Sequence, residues 1–164
     1  STFERELKSE IERSAHAKVA VLFIDVDDFK FINDRFGHSV GDEVIKYVAG
    51  CIKQRVKGSG FAGRFGGDEF VLCITDAKQI EEIESLSLDL IDELYEGYHS
   101  ELANVSINVK ASIGIAFFPE HGDDSNKIVA AADEAMYFVK KNGKANYHIY
   151  QPEDSQIEDL QHTL

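Results

Sequence analysis

The spacing of apolar residues changes along this chain, and the changes predict alternating helices and strands. Phe3, Leu7 and Ile11 fall at helical spacing and indicate an opening helix. The run KVAVLFID at 18–25 is continuously apolar and rich in valine and isoleucine, which is typical of a strand buried on both faces. The stretch DDFKFINDRFGH that follows predicts a short helix, closed near Gly37.

A longer helix is predicted from Gly41 to the turn KGSG at 57–60, because its apolar residues form a single stripe. The residues of this stripe are Val44, Ile45, Val48, Cys51 and Ile52. The short apolar segments FAGRF and EFVLCI come next, separated by two glycines and an aspartate. They predict a β-hairpin, whose turn we expect to use positive φ angles at Gly66 and Gly67.

The second half of the chain continues the alternation. An acidic helix is predicted over 76–98, a strand region over 105–118, a helix over 125–141 and a short closing strand in NYHIY. The stripe of the acidic helix consists of Ile80, Ile83, Leu86, Leu90 and Leu94. This order of elements predicts an α/β (α+β) fold, with an antiparallel or mixed sheet covered by helices in the ferredoxin-like manner.

Length and charge limit the setting. The 164 residues, 43% of them hydrophobic, fit one domain at 1–150, with the polar residues 151–164 as a tail or linker. The net charge of −13 argues against binding to nucleic acid or to a membrane through a basic surface. No apolar run reaches the roughly 20 residues that span a bilayer, so we expect a cytoplasmic segment without direct membrane contact. Cys51 and Cys73 lie in apolar stretches and are expected to be reduced core thiols.

Two groups of carboxylates interrupt the apolar pattern. Asp25 ends the first strand and is followed by Asp27 and Asp28 at the start of a helix, while Asp68 and Glu69 lie in the hairpin turn. Taken separately, such acids are typical of helix caps and turns. Taken together, a carboxylate at a strand end and another in a neighbouring hairpin can hold Mg²⁺ against a polyphosphate.

Four ordered blocks resemble the GGDEF family of diguanylate cyclases, which condense two GTP molecules into cyclic di-GMP and pyrophosphate. The blocks are DVDDFKFINDRFGHSVGDE at 25–43, RFGGDEF at 64–70, ASIGIAFF at 111–118 and AADEAMYFVKKNGKAN at 131–146. The resemblance covers almost the whole chain. It implies a nucleotidyl-cyclase-like fold with a central five-stranded sheet, and a nucleotidyltransferase activity.

The resemblance implies a metal site and a catalytic group. Asp25 and Asp68 match the metal-binding acids of the family, with the carbonyl of Val26 as a further ligand for Mg²⁺, which Mn²⁺ can replace. Asp68 is also the expected base, with Glu69 in support. Lys30 places a positive charge where the transition state gains negative charge.

The resemblance also implies the residues that bind the phosphates of GTP. Asp28 and Phe29, together with Lys30, match a turn whose backbone N–H groups hold the β and γ phosphates. Lys140 and Lys144 match a basic pair that grips the phosphates from the far side, and we expect them to lie one helical turn apart. Gly67 leaves room for the substrate.

Recognition of guanine is implied for Asn33 and Asp42. A carboxylate can only accept hydrogen bonds, which suits the donors of guanine and would be left unpaired by adenine. His38 lies between them in sequence and either contacts the same nucleotide or has a structural role at a helix start.

The implied reaction joins two GTP molecules, and each subunit binds one, so we expect catalysis in a homodimer. The alternative is a silent GTP-binding regulatory module fused to a cyclic di-GMP phosphodiesterase or a sensor domain. A purely structural domain is a third interpretation. In each case we expect the chain to be a fragment of a larger signalling protein, with an upstream sensory or a downstream phosphodiesterase domain.

Three departures from the family pattern stand out. Lys57 and Gly60 replace the arginine and aspartate of the RxxD motif, which binds product and inhibits, so we expect no inhibition through that site. Lys144 stands in GKAN where the family has GRN, which keeps the charge but loses the bidentate fork of arginine. The family segment DxLTGxxNR is absent ahead of FEREL, so we expect the chain to begin partway into the domain.

Overall fold

Helices and strands alternate along the chain as the apolar spacing predicts. The computed structural model describes residues 2–13 and 18–155. The helices in this part of the chain are α1 (Thr2–Arg13), α2 (Phe29–Phe36), α3 (His38–Val56), α4 (Ile80–Glu96) and α5 (Ser125–Lys141). The strands are β1 (Val19–Val26), β2 (Gly60–Arg64), β3 (Glu69–Ile74), β4 (Tyr98–Ser100), β5 (Val105–Ile107), β6 (Ala111–Phe118) and β7 (Tyr147–Ile149).

Five of these strands form the central sheet, in the order β2-β3-β1-β6-β7. Strand β1 pairs antiparallel with β3 on one side and with β6 on the other, and β7 runs parallel to β6. The predicted mixed five-stranded sheet with covering helices is therefore confirmed. Strand β1 lies in the middle of the sheet, so a side chain at its end is supported from both sides.

Alternate side chains of β1 belong to two different hydrophobic clusters, one on each face of the sheet. Ala20, Leu22 and Ile24 belong to the cluster under α3 and α4, whereas Val21 and Phe23 belong to the cluster under α1 and α5. Fully burying one such side chain stabilises the fold by about 1.5–3 kcal/mol. A slip of β1 by one residue would exchange the two faces, so this burial also fixes the position of the polar residues that follow.

The structure corrects several predicted boundaries. Helix α3 begins at His38, three residues before Gly41, because Gly37 has a φ of 91° and allows the chain to enter a new helix at once. The acidic helix α4 is confined to Ile80–Glu96. The predicted strand region 105–118 is divided, since β5 pairs with the unpredicted strand β4 in a separate two-stranded sheet.

The cysteines are buried and free, as predicted. Burial raises the pKa of the Cys51 thiol and that of the Cys73 thiol to about 12. Residues 152–155 are helical and pack against the domain, where buried Asp154 pairs with His148 at 3.1 Å. The rest of the predicted tail, 156–164, lies outside the described residues. Within the described ranges, no helix has the length and apolar content that crossing a membrane requires.

Candidate active site at the end of the central strand

Asp25 lies at the end of β1, where the sheet passes from core to surface. It is opposite Glu69 of β3 and Ser112 of β6 in the strand register. The side chain is only 19% exposed, and its Oδ1 is buried without a hydrogen-bond partner among the described residues. Its Oδ2 lies 3.5 Å from Nζ of Lys140. A buried acceptor without a donor is costly, so this position favours a ligand that supplies positive charge.

The carboxylates of Asp25 and Asp68 meet across the boundary between β1 and the hairpin. The N–H of Val26 donates to the Asp68 carbonyl at 3.1 Å, which holds the two segments together. Burial raises the pKa of Asp25 to about 7; Lys140 opposes this rise, while a hydrogen bond with Asp68 and the charges of Asp68 and Glu69 add to it. Two acids in contact repel when both are ionised, and a bound cation would relieve this repulsion.

This pair fits a hard divalent cation. Magnesium prefers oxygen ligands and usually keeps several waters, so one or two carboxylates are a sufficient protein contribution. Across residues 2–13 and 18–155, no three His, Cys, Asp or Glu side chains converge as a ready-made metal cluster. The predicted ligands Asp25 and Asp68 are thus brought together, and the Val26 carbonyl stays a prediction.

Asp27 is the residue that the sequence interpretation missed. Its side chain is fully buried and accepts hydrogen bonds from Ser112 Oγ at 2.6 Å, Lys140 Nζ at 2.5 Å and the N–H of Ala145 at 2.9 Å. The helix-cap interpretation is therefore wrong for this acid. A signal was present in the sequence, because Asp27 follows a buried strand so closely that burial of its own side chain was to be expected.

Asp28 occupies the N-cap position of α2 without capping it. Its backbone is left-handed, with a φ of 55°, and its side chain makes no capping hydrogen bond. The carboxylate instead accepts from Nζ of Lys144 at 2.9 Å, and this bond holds the pKa of Asp28 below its ordinary value. The charge of Lys110 adds to that effect, although the sequence interpretation did not single this residue out.

The predicted phosphate turn is the beginning of α2, at Phe29. The first N–H groups of a helix have no partner inside it, and the helix dipole adds positive potential there. Lys30 is exposed in the same turn, and a cavity of about 250 Å³ beside it is lined by Asp28, Phe31 and Lys110 among others. The turn can therefore accept an anion.

Lys140 and Lys144 reach the site differently from the predicted arrangement. Helix α5 ends at Lys141, and Lys144 lies in the following turn, with a φ of 61° directly after Gly143 at 105°. The expectation of one helical turn between the two lysines is therefore wrong. Both ammonium groups still point at the segment that follows β1, Lys140 toward Asp27 and Lys144 toward Asp28.

The predicted guanine residues lie where α2 packs on α3. Asn33 is half-buried on α2, and Asp42 is exposed on the first turns of α3. A Cβ atom built on Gly41 would lie 1.8 Å from Oδ1 of Asn33, so the glycine is required to leave room for this amide. His38 is exposed as the first residue of α3, and its contact with a nucleotide stays a prediction.

The positive φ angles predicted for the hairpin glycines Gly66 and Gly67 are not present. The glycines with positive φ among the described residues are Gly37, Gly58, Gly97 and Gly143, so Gly66 and Gly67 do not need that conformation. A Cβ on Gly66 would instead lie 2.8 Å from Oε1 of Glu69, whereas Gly67 borders open space. The guanidinium of Arg64 donates to both glycine carbonyls and holds the loop shape.

Glu69 lies beside the paired acids. Burial raises the pKa of Glu69, and the charge of Asp68 adds to the rise against the opposing charge of Lys140. A carboxylate with a raised pKa is a better proton acceptor than an ordinary one at neutral pH. The site therefore combines an acid pair, a third acid and two lysines at the end of the central strand β1.

This combination of fold and acidic loop is that of a GGDEF domain, and comparison with known proteins agrees. The family described as "Diguanylate cyclase, GGDEF domain" matches residues 1–146, so the chain belongs to the GGDEF family. The GGDEF domain of TpbB (YfiN) from Pseudomonas aeruginosa superposes with a TM-score of 0.91 at 29% identity, covering 96% of this chain and 92% of that chain.

Two curated relatives carry different activities in their names. Diguanylate cyclase DosC of Escherichia coli (strain K12) is 34% identical over 154 residues, or 90% of this chain. Cyclic di-GMP phosphodiesterase PdeR of the same organism is 32% identical over 146 residues, or 89% of this chain. The chain spans only 31% of the length of DosC and 22% of the length of PdeR.

Proposed function

We propose that this domain is a diguanylate cyclase, which condenses two GTP molecules into cyclic di-GMP and pyrophosphate with Mg²⁺, as a homodimer. One observation carries the proposal. The Asp25 and Asp68 carboxylates are in contact, one oxygen of Asp25 is buried without a partner, and Nζ of Lys140 lies 3.5 Å from the other. This arrangement favours a site for a metal-bound polyphosphate over a purely structural role for these residues.

The residues around the acid pair supply binding of the phosphates. Asp25 and Asp68, with the carbonyl of Val26, would hold Mg²⁺, which Mn²⁺ can replace, and the ion would neutralise phosphate charge when bound. The N–H groups at the start of α2 and the exposed Lys30 in its first turn follow directly after Asp28. Lys140 and Lys144 add positive charge in a protein of net charge −13.

Specificity for GTP follows from Asn33 and Asp42. The amide of Asn33 is held in a pocket shaped by Gly41, and Asp42 is free to accept from the N1–H and amino group of guanine. Adenine presents an acceptor at N1 and would leave the carboxylate unpaired, so binding of ATP is disfavoured. We also assign His38 to this side of the nucleotide.

Proton transfer falls to the acids of the hairpin. The ribose 3′-hydroxyl of one GTP attacks the α-phosphorus of the other, with pyrophosphate as the leaving group. Asp68 accepts the hydroxyl proton, and Glu69, whose own pKa is raised by burial, supports it. One domain holds one GTP, so the hydroxyl must arrive from a second copy of the domain.

A second candidate function is a regulatory module that binds GTP without converting it, within a protein that degrades cyclic di-GMP. The observation that favours it is the match to PdeR, which is named as a phosphodiesterase and of which this chain spans 22%. Both candidates require GTP binding. They differ in whether product forms.

Incubation of the purified domain with GTP and Mg²⁺ over a series of protein concentrations tests the proposal. Chromatography would detect cyclic di-GMP, with Asp68→Ala as the matched inactive variant. We expect product that rises more than linearly with protein and disappears in the variant. GTP binding without product at every concentration would support the regulatory module, and absence of GTP binding would contradict both candidates.

A further inference from the structure

Asp27 holds together parts of the site that come from distant parts of the chain. Its Oδ1 accepts from Ser112 on β6 and from Lys140 on α5, and its Oδ2 accepts from the N–H of Ala145 in the turn after α5. The carboxylate is completely shielded from solvent. Three donors on one buried carboxylate hold that carboxylate in place, and the carboxylate in turn fixes the positions of the donors.

The ammonium of Lys140 pairs with both Asp25 and Asp27, but it lies closer to Asp27. Its Nζ lies 2.5 Å from Asp27 and 3.5 Å from Asp25. An ammonium that settled on Asp25 would compete there with a divalent cation. Asp27 prevents this, because withdrawing Lys140 from a fully buried carboxylate would leave an uncompensated charge.

We propose that Asp27 is a positioning residue that keeps the ammonium of Lys140 off Asp25, so that Asp25 stays open to the metal while Lys140 stays in reach of the phosphates. The inference rests on the proposed function, because it names the residue that arranges the same site. It also accounts for the unpartnered Oδ1 of Asp25 beside a lysine that is close enough to move.

The same contacts explain how Lys144 is placed. Lys144 and Ala145 both have positive φ angles, 61° and 49°, in a turn that Asp27 fixes through the Ala145 N–H. Non-glycine residues adopt this conformation only where surrounding contacts hold it. Asp27 thus orients both phosphate-facing lysines, one through its ammonium and one through the backbone next to it.

Replacement of Asp27 by asparagine makes the idea testable in the nucleotide-free protein. Without the charge at 27, Asp25 is the other carboxylate that pairs with Lys140, at 3.5 Å, and the ammonium should move onto it. The ¹³Cγ resonance of Asp25 should therefore shift in Asp27→Asn and should not shift in that direction in the double variant Asp27→Asn/Lys140→Met, which has no ammonium to move. Asp154→Asn, which removes a buried acid that pairs with His148 and not with Lys140, should leave this resonance in place.

A second measurement addresses the metal. Calorimetric binding of a GTP analogue with a methylene group between the α and β phosphates is followed as Mg²⁺ is varied. We expect the Mg²⁺ concentration at half-maximal binding to rise roughly fivefold or more in Asp27→Asn, in the range of coupled neighbouring side chains. In the double variant it should return to the wild-type value, although affinity for the analogue stays low.

These measurements test the positioning role of Asp27 separately from the proposed function. An unchanged Asp25 resonance in Asp27→Asn, or a double variant in which the Mg²⁺ requirement stays raised, would overturn the positioning role. A wild-type domain that binds no analogue at any Mg²⁺ concentration would overturn the proposed function instead, while the resonance of Asp25 would still decide whether Asp27 restrains Lys140. The double variant also guards against misfolding, since it leaves neither buried charge alone.

Discussion

Gly41 and Asn33 approach each other so closely that no side chain fits between them. The Oδ1 atom of Asn33 would lie 1.8 Å from a Cβ atom on Gly41, and the ring of Phe29 would lie 3.3 Å from it. The contact joins α2 to α3 within the block at 25–43. It indicates that the absence of a side chain at Gly41 leaves space for the amide of Asn33, which is the residue that we propose for guanine recognition.

Gly41→Ala should therefore displace the Asn33 side chain. Its far end is flexible, so the domain should still fold, but the amide will no longer be aimed at guanine. We expect affinity for GTP to fall roughly tenfold, the equivalent of one good hydrogen bond. Calorimetric titration of the GTP analogue would measure it.

Gly50→Ala is the matched control on the same helix. A Cβ there meets nothing within 4 Å, and the position is exposed. We expect unchanged GTP affinity and a gain in the free energy of unfolding of about 0.5–1 kcal/mol from helix propensity. Equal GTP affinities for the two alanine variants would contradict the role of Gly41.

Lys110 is expected to contribute to phosphate binding. Its charge acts on Asp28, and it borders the cavity beside the start of α2. Lys110→Gln should weaken GTP binding roughly two- to fivefold, as expected for a solvent-exposed charge. Lys53→Gln, on the far end of α3, serves as the control and should change nothing; a loss of the same size there would show that only net charge matters.

The stability of the metal-free domain should depend on pH through Asp25. Its pKa is raised from 3.8 to about 7, so the folded state holds a proton that the unfolded state has released between these values. The contribution of Asp25 to stability is therefore fully present below pH 3.8 and is lost as the pH rises through about 7.

Asp25→Asn removes this dependence. Thermal unfolding in the presence of a chelator should show the variant gaining over the wild type as the pH rises from about 5 to about 8. Adding Mg²⁺ at the upper pH should raise the midpoint of the wild type and not that of the variant. A difference between the two proteins that stays constant with pH would contradict the raised pKa.

Product inhibition through the RxxD position should be absent. Lys57 and Gly60 occupy it, and a Cβ on Gly60 would lie 1.8 Å from the backbone carbonyl of Cys73. This oxygen belongs to the paired strand β3 and cannot move cheaply. Titration of cyclic di-GMP during turnover should show no inhibition that depends on Lys57.

Restoring the family motif should fail for the same reason. Lys57→Arg alone is expected to fold normally, whereas Lys57→Arg/Gly60→Asp should lose about 2 kcal/mol or more of unfolding free energy by overpacking. Calorimetry on the two variants would measure the difference. A double variant as stable as the wild type that binds cyclic di-GMP beside Lys57 would overturn this prediction.

Much of the fold could be predicted from the sequence because its signals are local. Continuous burial of β1 and single stripes on α3 and α5 leave little choice of secondary structure. Strand β4 was missed because three residues after a helix carry almost no periodic signal. Its partners are β5 and side chains of α3, and such tertiary contacts leave no local pattern in the sequence.

The sequence predicted which residues form the site better than it predicted the contacts between them. Acids at a strand end and in a hairpin meet whenever the two strands pair, as Asp25 and Glu69 do. The hydrogen bonds of Asp27 join residues 85 to 118 positions apart, and no local pattern records them. The positive φ angles after α5 are likewise set by those distant contacts.

The central place of β1 gives the two sides of the site different hydrogen-exchange behaviour. The amides of β1 are bonded into ladders on both sides, so they exchange with deuterium only when the whole sheet opens. The turn that carries Lys144 is exposed and lies outside the sheet. Deuterium should enter this turn before it reaches β1, so Asp25 lies in a slower-opening part of the domain than Lys144.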